Sequence, residues 1–345
     1  MDRVAASISA ALWDLSKEQN FEIVAVSPHL NEGDVAEVLG RQIPVISSPR
    51  TKGYLWEQAS IYRLEPESWL LSFCNMGPIF RKRQVLMVHD SQVYEQPAAY
   101  KFSFRLLYKL LQPIASRNSR VLLTVSDFSK SSLEKFRVFP KDSGNVVHNG
   151  VDHMAHYEQD PLVFRAKNLT KGRYFLAIGS NASHKNLDLL YQIFDQRPSD
   201  SLPLVVVGAA KSKVLTSGKV GRSENVIHIG RVSDSELSAL LHHARSFLFP
   251  SLTEGFGLPP LEAMACGCPV IASTGGAIPE VCGDAAILLD PSDVPKWAET
   301  IAAFESDDSL IEQYSQKGRI RAADFVWKET AREILKLIIE EEEKF

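Results

Sequence analysis

Short runs of branched and aromatic residues alternate with stretches of helical period along almost the whole chain, and no other feature restricts the fold as strongly. Strand-like runs lie at 21–26 (FEIVAV), 69–73 (WLLSF), 84–88 (QVLMV), 121–125 (VLLTV) and 145–148 (NVVH). They return at 174–178 (YFLAI), 203–207 (PLVVV), 225–229 (NVIHI), 246–249 (SFLF), 269–272 (PVIA) and 285–288 (AAIL). Helical patterns fall at 3–18, 98–116, 127–136, 293–305, 308–318 and 327–342, with further helices between the later strands. Strand followed by helix, repeated, is the pattern of βα units around a parallel sheet, so the expected class is α/β. The 345 residues exceed what one core ordinarily holds, and the period is lost across 151–172. Two doubly wound domains of similar size are expected, at 1–160 and 161–325. A last helix at 326–345 is placed to pack back on the first domain.

Composition narrows the partners. A hydrophobic share of 45% with 23% charged residues is that of a soluble globular chain. The net charge of -4 gives no overall attraction to nucleic acid or to an anionic membrane, which leaves local basic patches as the places to look. The four cysteines, Cys74, Cys266, Cys268 and Cys282, form no CxxC pair and have no histidines at zinc-ligand spacing, so no disulfide framework or metal is expected. No run of about 18 apolar residues occurs, and Asp14, Lys17 and Glu18 interrupt the early apolar stretch. A cytoplasmic protein is expected.

In open α/β sheets ligands bind beyond the carboxyl ends of the strands. The residues at those places here are Asn75-Met76-Gly77-Pro78, His89-Asp90, Ser126, Asn149-Gly150, Gly179-Ser180, Gly208, Gly230-Arg231 and Thr253-Glu254-Gly255. Each alone is also ordinary turn chemistry. The stretch SLTEGFGLPPLEAMACGCPV at 251–270 is more specific. Gly255 and Gly257 let bare backbone approach a ligand, and Pro259-Pro260 suit the first turn of a helix whose free N–H groups attract an anion. Glu262 is expected in or near that first turn, where the helix dipole favours it, whereas Glu254 in its glycine turn has no obvious structural partner. Cys266 and Cys268 flank the helix stop at Gly267 and read as core packing. Lys185, expected in the first turn of a helix after the loop Gly179 to His184, opposes the dipole there and calls for a compensating anion.

These residues resemble the retaining glycosyltransferases of family 4, which have the GT-B architecture of two Rossmann-like domains facing a cleft. The family's signature, a glutamate and a second glutamate eight residues on around a Gly-Phe-Gly-Leu helix start, is similar to TEGFGLPPLEAMACGCPV. Further similar segments are TVSDFSKSSL (124–133), VVHNGVD (146–152), HKNLDLL (184–190) and PEVCGDAAILLDP (279–291), so the resemblance covers roughly 20–320. It implies an enzyme that moves a hexose from a nucleotide sugar to a glycan or lipid-linked saccharide, retaining configuration, without metal or other cofactor. Glu254 would bind hydroxyls of the transferred sugar, Glu262 the ribose, and Lys185 the diphosphate leaving group. Gly255, Phe256, Gly257 and Leu258 would face the sugar and diphosphate, with Ser180, His184, Gly208, Arg231 and Val232 completing the donor site. His89 would position the sugar, and Asn75, Ser126 and Asn149 would lie toward the acceptor. HKNLDLL and CNMGP are most similar to bacterial mannosyltransferases of polysaccharide assembly, which implies GDP-mannose ahead of a UDP-linked donor.

The pattern departs from the family in two places. Many relatives have arginine where Ser180 stands, which leaves His184 or Arg231 to supply a second cation. Residues 1–20 read at once as helix, with no preceding strand or glycine-rich turn, so Met1 is expected to be an internal or misassigned start, or the chain to be trimmed toward weak activity. A nucleotide-sugar epimerase or hydrolase, or an inactive donor-binding subunit, remains an alternative on the same motifs. Finally, Lys101, Arg105 and Lys109 recur every fourth residue along 99–120. That stripe fits peripheral contact with an anionic membrane, or a solvated face over a buried Phe/Leu face.

Overall fold

The structure is a computed structural model that describes residues 2–27, 32–47, 53–97, 100–180, 182–208 and 225–344. The chain divides into two compact units, Met1–Gly150 with Val326–Phe345, and Val151–Phe325.

In the first unit the described strands form two parallel sheets. One pairs β1 (Ala25–Ser27) with β2 (Val45–Ser47). The other has the order β3 (Leu70–Ser72), β4 (Gln84–Met87), β5 (Val121–Thr124), β6 (Gly144–Val146). Every residue of β4 and β5 is buried, which is what continuous apolar runs covered on both faces require. The helices Phe102–Asn118 and Asp127–Lys135 cross between strands. Ser126 caps the second of these, its Oγ accepting from the Ser129 amide at 3.0 Å. Along the helix Asp2–Glu18, Val4, Ile8, Leu12 and Leu15 are buried on one stripe, and the helix packs on the terminal helix Trp327–Glu342. Lys328 and Glu18 pair at 2.6 Å across that contact, and Thr330 donates to the His148 carbonyl at 2.7 Å. Gly150 leaves no room for a side chain: a Cβ there would lie 2.3 Å from the Trp327 amide. The helices Glu32–Leu39 and Gly53–Ala59 and the strand β2 have no counterpart among the sequence expectations.

The second unit is built on one sheet of six parallel strands: β7 (Phe175–Gly179), β8 (Leu204–Gly208), β9 (Val226–Gly230), β10 (Ser246–Phe249), β11 (Val270–Ser273) and β12 (Ala286–Leu289). Their order is β12-β11-β10-β7-β8-β9. Residues of one parity, Phe175, Ala177, Leu204, Val206, Leu248 and Ile271, join Leu190, Phe194, Trp297, Ile301 and Phe304 in one core cluster. Cys266, Cys268 and Cys282 are free and buried, and burial pushes the Cys266 and Cys282 thiols up to about 12. The chain runs from β7 outward to β9, then crosses to the other side of β7 and runs outward from β10 to β12. The crevice at the carboxyl ends of β7 and β10 is therefore the switch point of the sheet, where ligands of such folds bind.

Candidate functional site

Two loops leave that switch point, 180–186 after β7 and 250–257 after β10, and they are tied to each other. The Leu252 amide donates to the His184 carbonyl at 2.7 Å. Asn186, with φ of 51°, turns its carboxamide to donate to the Pro250 and Pro291 carbonyls at 3.2 and 3.0 Å. This clamp brings the Lys185 ammonium to 2.7 Å from Oε1 of Glu254, and the Ser251 hydroxyl donates to the same oxygen at 2.5 Å. The Lys185 side chain is 20% exposed and that of Glu254 12%, so both charges are largely withdrawn from water while keeping an opening to it. Lys185 also lies 5.0 Å from the centre of the Phe249 ring. The loop after β11 backs the turn: the Ser273 hydroxyl donates to the Ser251 carbonyl, and the Ala277 amide to the Glu254 carbonyl at 2.9 Å. At Gly276, with φ of 65°, a Cβ would sit 2.4 Å from the Glu254 carbonyl oxygen, so only glycine lets the two loops meet.

Gly257, with φ of 101°, starts the helix Leu258–Ala265, with prolines in its first turn. Glu262 stands directly after the first turn, near it as expected, and it is buried at 3% exposure. It is paired there with His153, whose Nε2 is 3.1 Å from Oε1. His153 comes from the short 3-10 helix Asp152–His156, and its ring meets Tyr157 edge-on at 6.0 Å. Two other expectations are corrected. Glu254, expected without a structural partner, has two. Lys185 ends a 3-10 turn, Ser183–Lys185, ahead of the helix Leu187–Asp195, so its position outside the α-helix weakens the dipole argument and the Glu254 carboxylate supplies the counter-charge.

Around these pairs, Gly255 and Leu258 are half-buried and Phe256 is buried, edge-on to Phe325 at 5.9 Å. Ser180 is exposed, and its hydroxyl accepts from the Ala182 amide at 3.3 Å; Asn181 of the same loop lies outside the described residues. Gly208 has φ of 102°, and a Cβ on it would strike the Gly179 carbonyl oxygen at 2.4 Å, which gives it a packing reason to be glycine. His184 is held below its ordinary range by burial and by Lys185, partly offset by Glu254. Of the two substitutes for a second cation, His184 is therefore the poorer one. Arg231 is exposed and, with half-buried Val232, follows the edge strand β9, two strands from β7, or about 10 Å by ordinary strand spacing.

The remaining candidates belong to the other unit. His89 is buried at 8% exposure, and its Nε2 stands 2.6 Å from the Phe73 carbonyl, to which that nitrogen donates. Burial pushes its pKa down to about 4, so the ring is neutral. Asn75, with φ of 65°, accepts the His89 amide on its side-chain oxygen at 2.7 Å. Ser126 is the fully buried helix cap described above. Asn149 is buried with a side-chain oxygen that has no hydrogen-bond partner among the described residues.

Sequence reasoning missed His153, Ser251, Asn186 and the Gly275-Gly276 pair. The signals were present: a histidine directly after the NGVD segment, and two glycines immediately beyond a strand in STGG.

Comparison with known proteins places this arrangement. The family model described as "Glycosyl transferases group 1" matches residues 160–321. An O-antigen chain mannosyltransferase B of Escherichia coli is 33% identical over 260 residues, 72% of this chain and 68% of that protein. The O-antigen chain mannosyltransferase RfbU of Salmonella typhimurium is 28% identical over 245 residues, 69% of this chain and 65% of the relative. The crystal structure of Anabaena HepE in complex with UDP and glucose superposes with a TM-score of 0.73 at 16% identity, covering 97% of this chain and 96% of HepE.

Proposed function

This chain belongs to the group 1 glycosyl transferases of the GT-B fold, enzymes that move a sugar from a nucleotide-sugar donor to an acceptor, and we propose that its own reaction is mannosyl transfer from GDP-mannose. The acceptor is a glycan or lipid-linked saccharide of polysaccharide or lipopolysaccharide assembly. Mannose is supported by the names of the two enterobacterial relatives, both O-antigen chain mannosyltransferases. A UDP-linked hexose is the second donor class to test, since HepE was crystallised with UDP and glucose.

The observation that carries the reading is the Lys185–Glu254 pair at the switch point of the donor-side sheet. A sugar diphosphate offers both partners a replacement: its phosphate oxygens take the ammonium, and its sugar hydroxyls donate to the carboxylate. Breaking the glycosidic bond leaves charge on the diphosphate, and a preorganised ammonium stabilises that charge most in the transition state. Glu254 would hold the hexose by charge-assisted hydrogen bonds, roughly twice as strong as neutral ones. Glu262, fixed by His153, would accept from the ribose hydroxyls. With no enzymic nucleophile assigned, the acceptor hydroxyl attacks from the face the nucleotide leaves, and the departing phosphate takes its proton, so configuration is retained. No cofactor is proposed. No helix among the described residues is long and apolar enough to cross a membrane, and we place the enzyme in the cytoplasm, meeting the inner face of the cell membrane peripherally.

Incubation with GDP-mannose, UDP-glucose and other donors, with and without acceptor glycans, tests the reading. Acceptor-dependent release of GDP is expected. Turnover without acceptor would instead indicate a hydrolase or epimerase, and binding without turnover a donor-binding subunit.

A further inference from the structure

Three aromatic rings form one stack at the carboxyl edge of the first unit's larger sheet. Tyr100 and Phe104 have ring centres 5.8 Å apart and planes inclined by 11°, and Phe104 and Tyr108 are 4.3 Å and 30° apart. Phe104 and Tyr108 are one turn apart in the helix Phe102–Asn118, and Tyr100 continues the row just ahead of it. Tyr108 is buried, whereas Phe104 and Tyr100 are half-buried, so the stack runs from the core toward water. The rings pack with Met76, from the loop after β3, and with Val93 of the short helix Gln92–Glu95, which follows β4. Gln112 donates to the Asn75 carbonyl at 2.8 Å and holds the helix against that edge. The stack therefore lies beyond the carboxyl ends of parallel strands, where ligands of such sheets bind.

The polar groups at its outer end are chiefly acceptors. The Tyr100 hydroxyl donates to Oε1 of Gln92 at 3.4 Å, long for a bond between two oxygens, so a ligand hydroxyl can replace it at little cost. Burial, and after it the nearby Asp90 carboxylate, raise the Tyr100 pKa, which keeps the phenol protonated. Asp90 is oriented by the Gln92 amide, which donates to its Oδ1 at 3.0 Å. From 89 to 100 there are two acids and no Lys or Arg, and the first cation is Lys101 at the helix cap. A pyranose satisfies both features at once. The C–H bonds on one side of its ring are apolar and slightly positive and match the negative face of an aromatic ring, while its hydroxyls donate to carboxylate and carboxamide oxygens. A phosphate would instead meet the like charge of Asp90.

We propose that Tyr100 and Phe104 are the platform on which a neutral pyranose of the acceptor glycan stacks, with Asp90 and Gln92 accepting from its hydroxyls. The inference rests on the transfer reading in taking that saccharide to be the acceptor; the saccharide site itself is built from the first unit alone. It takes the place of Asn75 and Ser126, whose side chains are engaged by backbone amides.

The test is saturation-transfer NMR and calorimetric titration of the full chain with mannotriose, without donor. Saturation concentrated on the C–H protons of one ring face is expected. Tyr100→Ala should weaken binding about ten-fold, the scale of one aromatic contact, and Tyr100→Phe, which keeps the ring, should stay within about three-fold of wild type. Asp90→Asn keeps an oxygen for the Gln92 amide, removes the charge, and should also lose about ten-fold. Thermal midpoints of the three variants separate a lost contact from a damaged fold, and the two conservative variants should keep the wild-type value. Affinity for GDP should be unchanged in all of them. No saturation of mannotriose by the wild type, or Tyr100→Ala and Asp90→Asn binding it as the wild type does, would overturn the proposal. A ten-fold loss of GDP affinity in Tyr100→Ala at unchanged mannotriose binding would give the platform to the nucleobase and overturn it too. Mannotriose held at this site by a chain that releases no GDP from GDP-mannose would keep the platform and remove the transfer reading. Acceptor-dependent GDP release with an unaltered acceptor KM in Asp90→Asn would do the reverse.

Discussion

Both units carry parallel sheets with polar residues at the carboxyl edge, but they bond those residues differently. In Val151–Phe325 the bonds of the motif residues join side chain to side chain over long sequence separations, Lys185 to Glu254 across 69 residues and His153 to Glu262 across 109, while Asn186 and Ser273 bond to backbone carbonyls. In the other unit they join side chain to backbone: Asn75 to the His89 amide, His89 to the Phe73 carbonyl, Ser126 to the Ser129 amide. A pair of side chains can exchange partners with a ligand and leave the fold intact. A side chain that satisfies a buried backbone group cannot leave without cost to the fold. The difference separates residues that are available to a substrate from residues that hold the strand ends in place.

The sharpest test of this contrast is Glu254→Ala. If the carboxylate acts on the sugar in the transition state, turnover should fall about 100-fold or more, the scale of one preorganised catalytic contact. Steady-state kinetics and calorimetry with GDP would show slow turnover beside nearly unchanged nucleotide affinity, and a variant that turns over like wild type would remove Glu254 from the reaction. Lys185→Ala should cost less, about 10- to 100-fold in affinity for nucleoside diphosphate, as for a lost charge-assisted bond, with little change for the nucleoside. Equal losses for both ligands would mean that the lysine shapes the loop instead of contacting phosphate.

Asn75→Ala probes the other side. It removes the acceptor for a buried amide and puts alanine at φ of 65°, where asparagine is tolerated and alanine is strained. A loss of about 2 kcal/mol is expected from the shift in the denaturation midpoint, with donor KM unchanged. Asn75→Asp, which keeps an oxygen at the same place, should recover most of it. A rise in acceptor KM at unchanged stability would reverse the assignment and make Asn75 an acceptor contact.

The long elements were legible because their period repeats often enough to stand out. The helix expected at 3–18 spans Asp2–Glu18, and that expected at 327–342 spans Trp327–Glu342. The helices Glu32–Leu39 and Gly53–Ala59 are about two turns each and β2 has three residues, too few repeats to be distinguished from loop. At the site, the motif pointed to Glu254, Glu262 and Lys185, but neither pairing is local, across 69 residues for Lys185–Glu254 and 109 for His153–Glu262, so the contact of His153 with Glu262 was not legible. Asn75 and Ser126 show the opposite limit: a polar residue after a strand has the same sequence signature whether it faces a ligand or caps the chain. For the helix Phe102–Asn118 the expected buried Phe/Leu face is only half realised. Phe104 and Leu111 pack against Met76, Val93 and Tyr108 and Leu107 is partly buried, whereas Phe102, Leu106, Leu110 and Ile114 are exposed.

The smallest effect to be sought lies in the pH dependence of stability, and it asks whether His89 is held as firmly as its contacts imply. Its folded pKa, about 4, is depressed below the 6.5 of an unfolded histidine, chiefly by burial. The unfolded chain therefore takes up a proton that the folded chain refuses. The stability associated with the neutral ring is fully present above pH 6.5, declines as pH falls through the window from 6.5 to 4, and levels off below it. Between pH 6.5 and 5.5 the decline attributable to this residue should be about 1 kcal/mol. His184, His228 and His243 are also depressed by burial and act in the same direction, so the informative quantity is the difference between wild type and His89→Gln in denaturant titrations across that range. A shallower slope in the variant is the expected result. Equal slopes would mean that the imidazole is reached by water and titrates near its ordinary value, and His89 would then move from the group of backbone clamps to the group of residues open to a substrate.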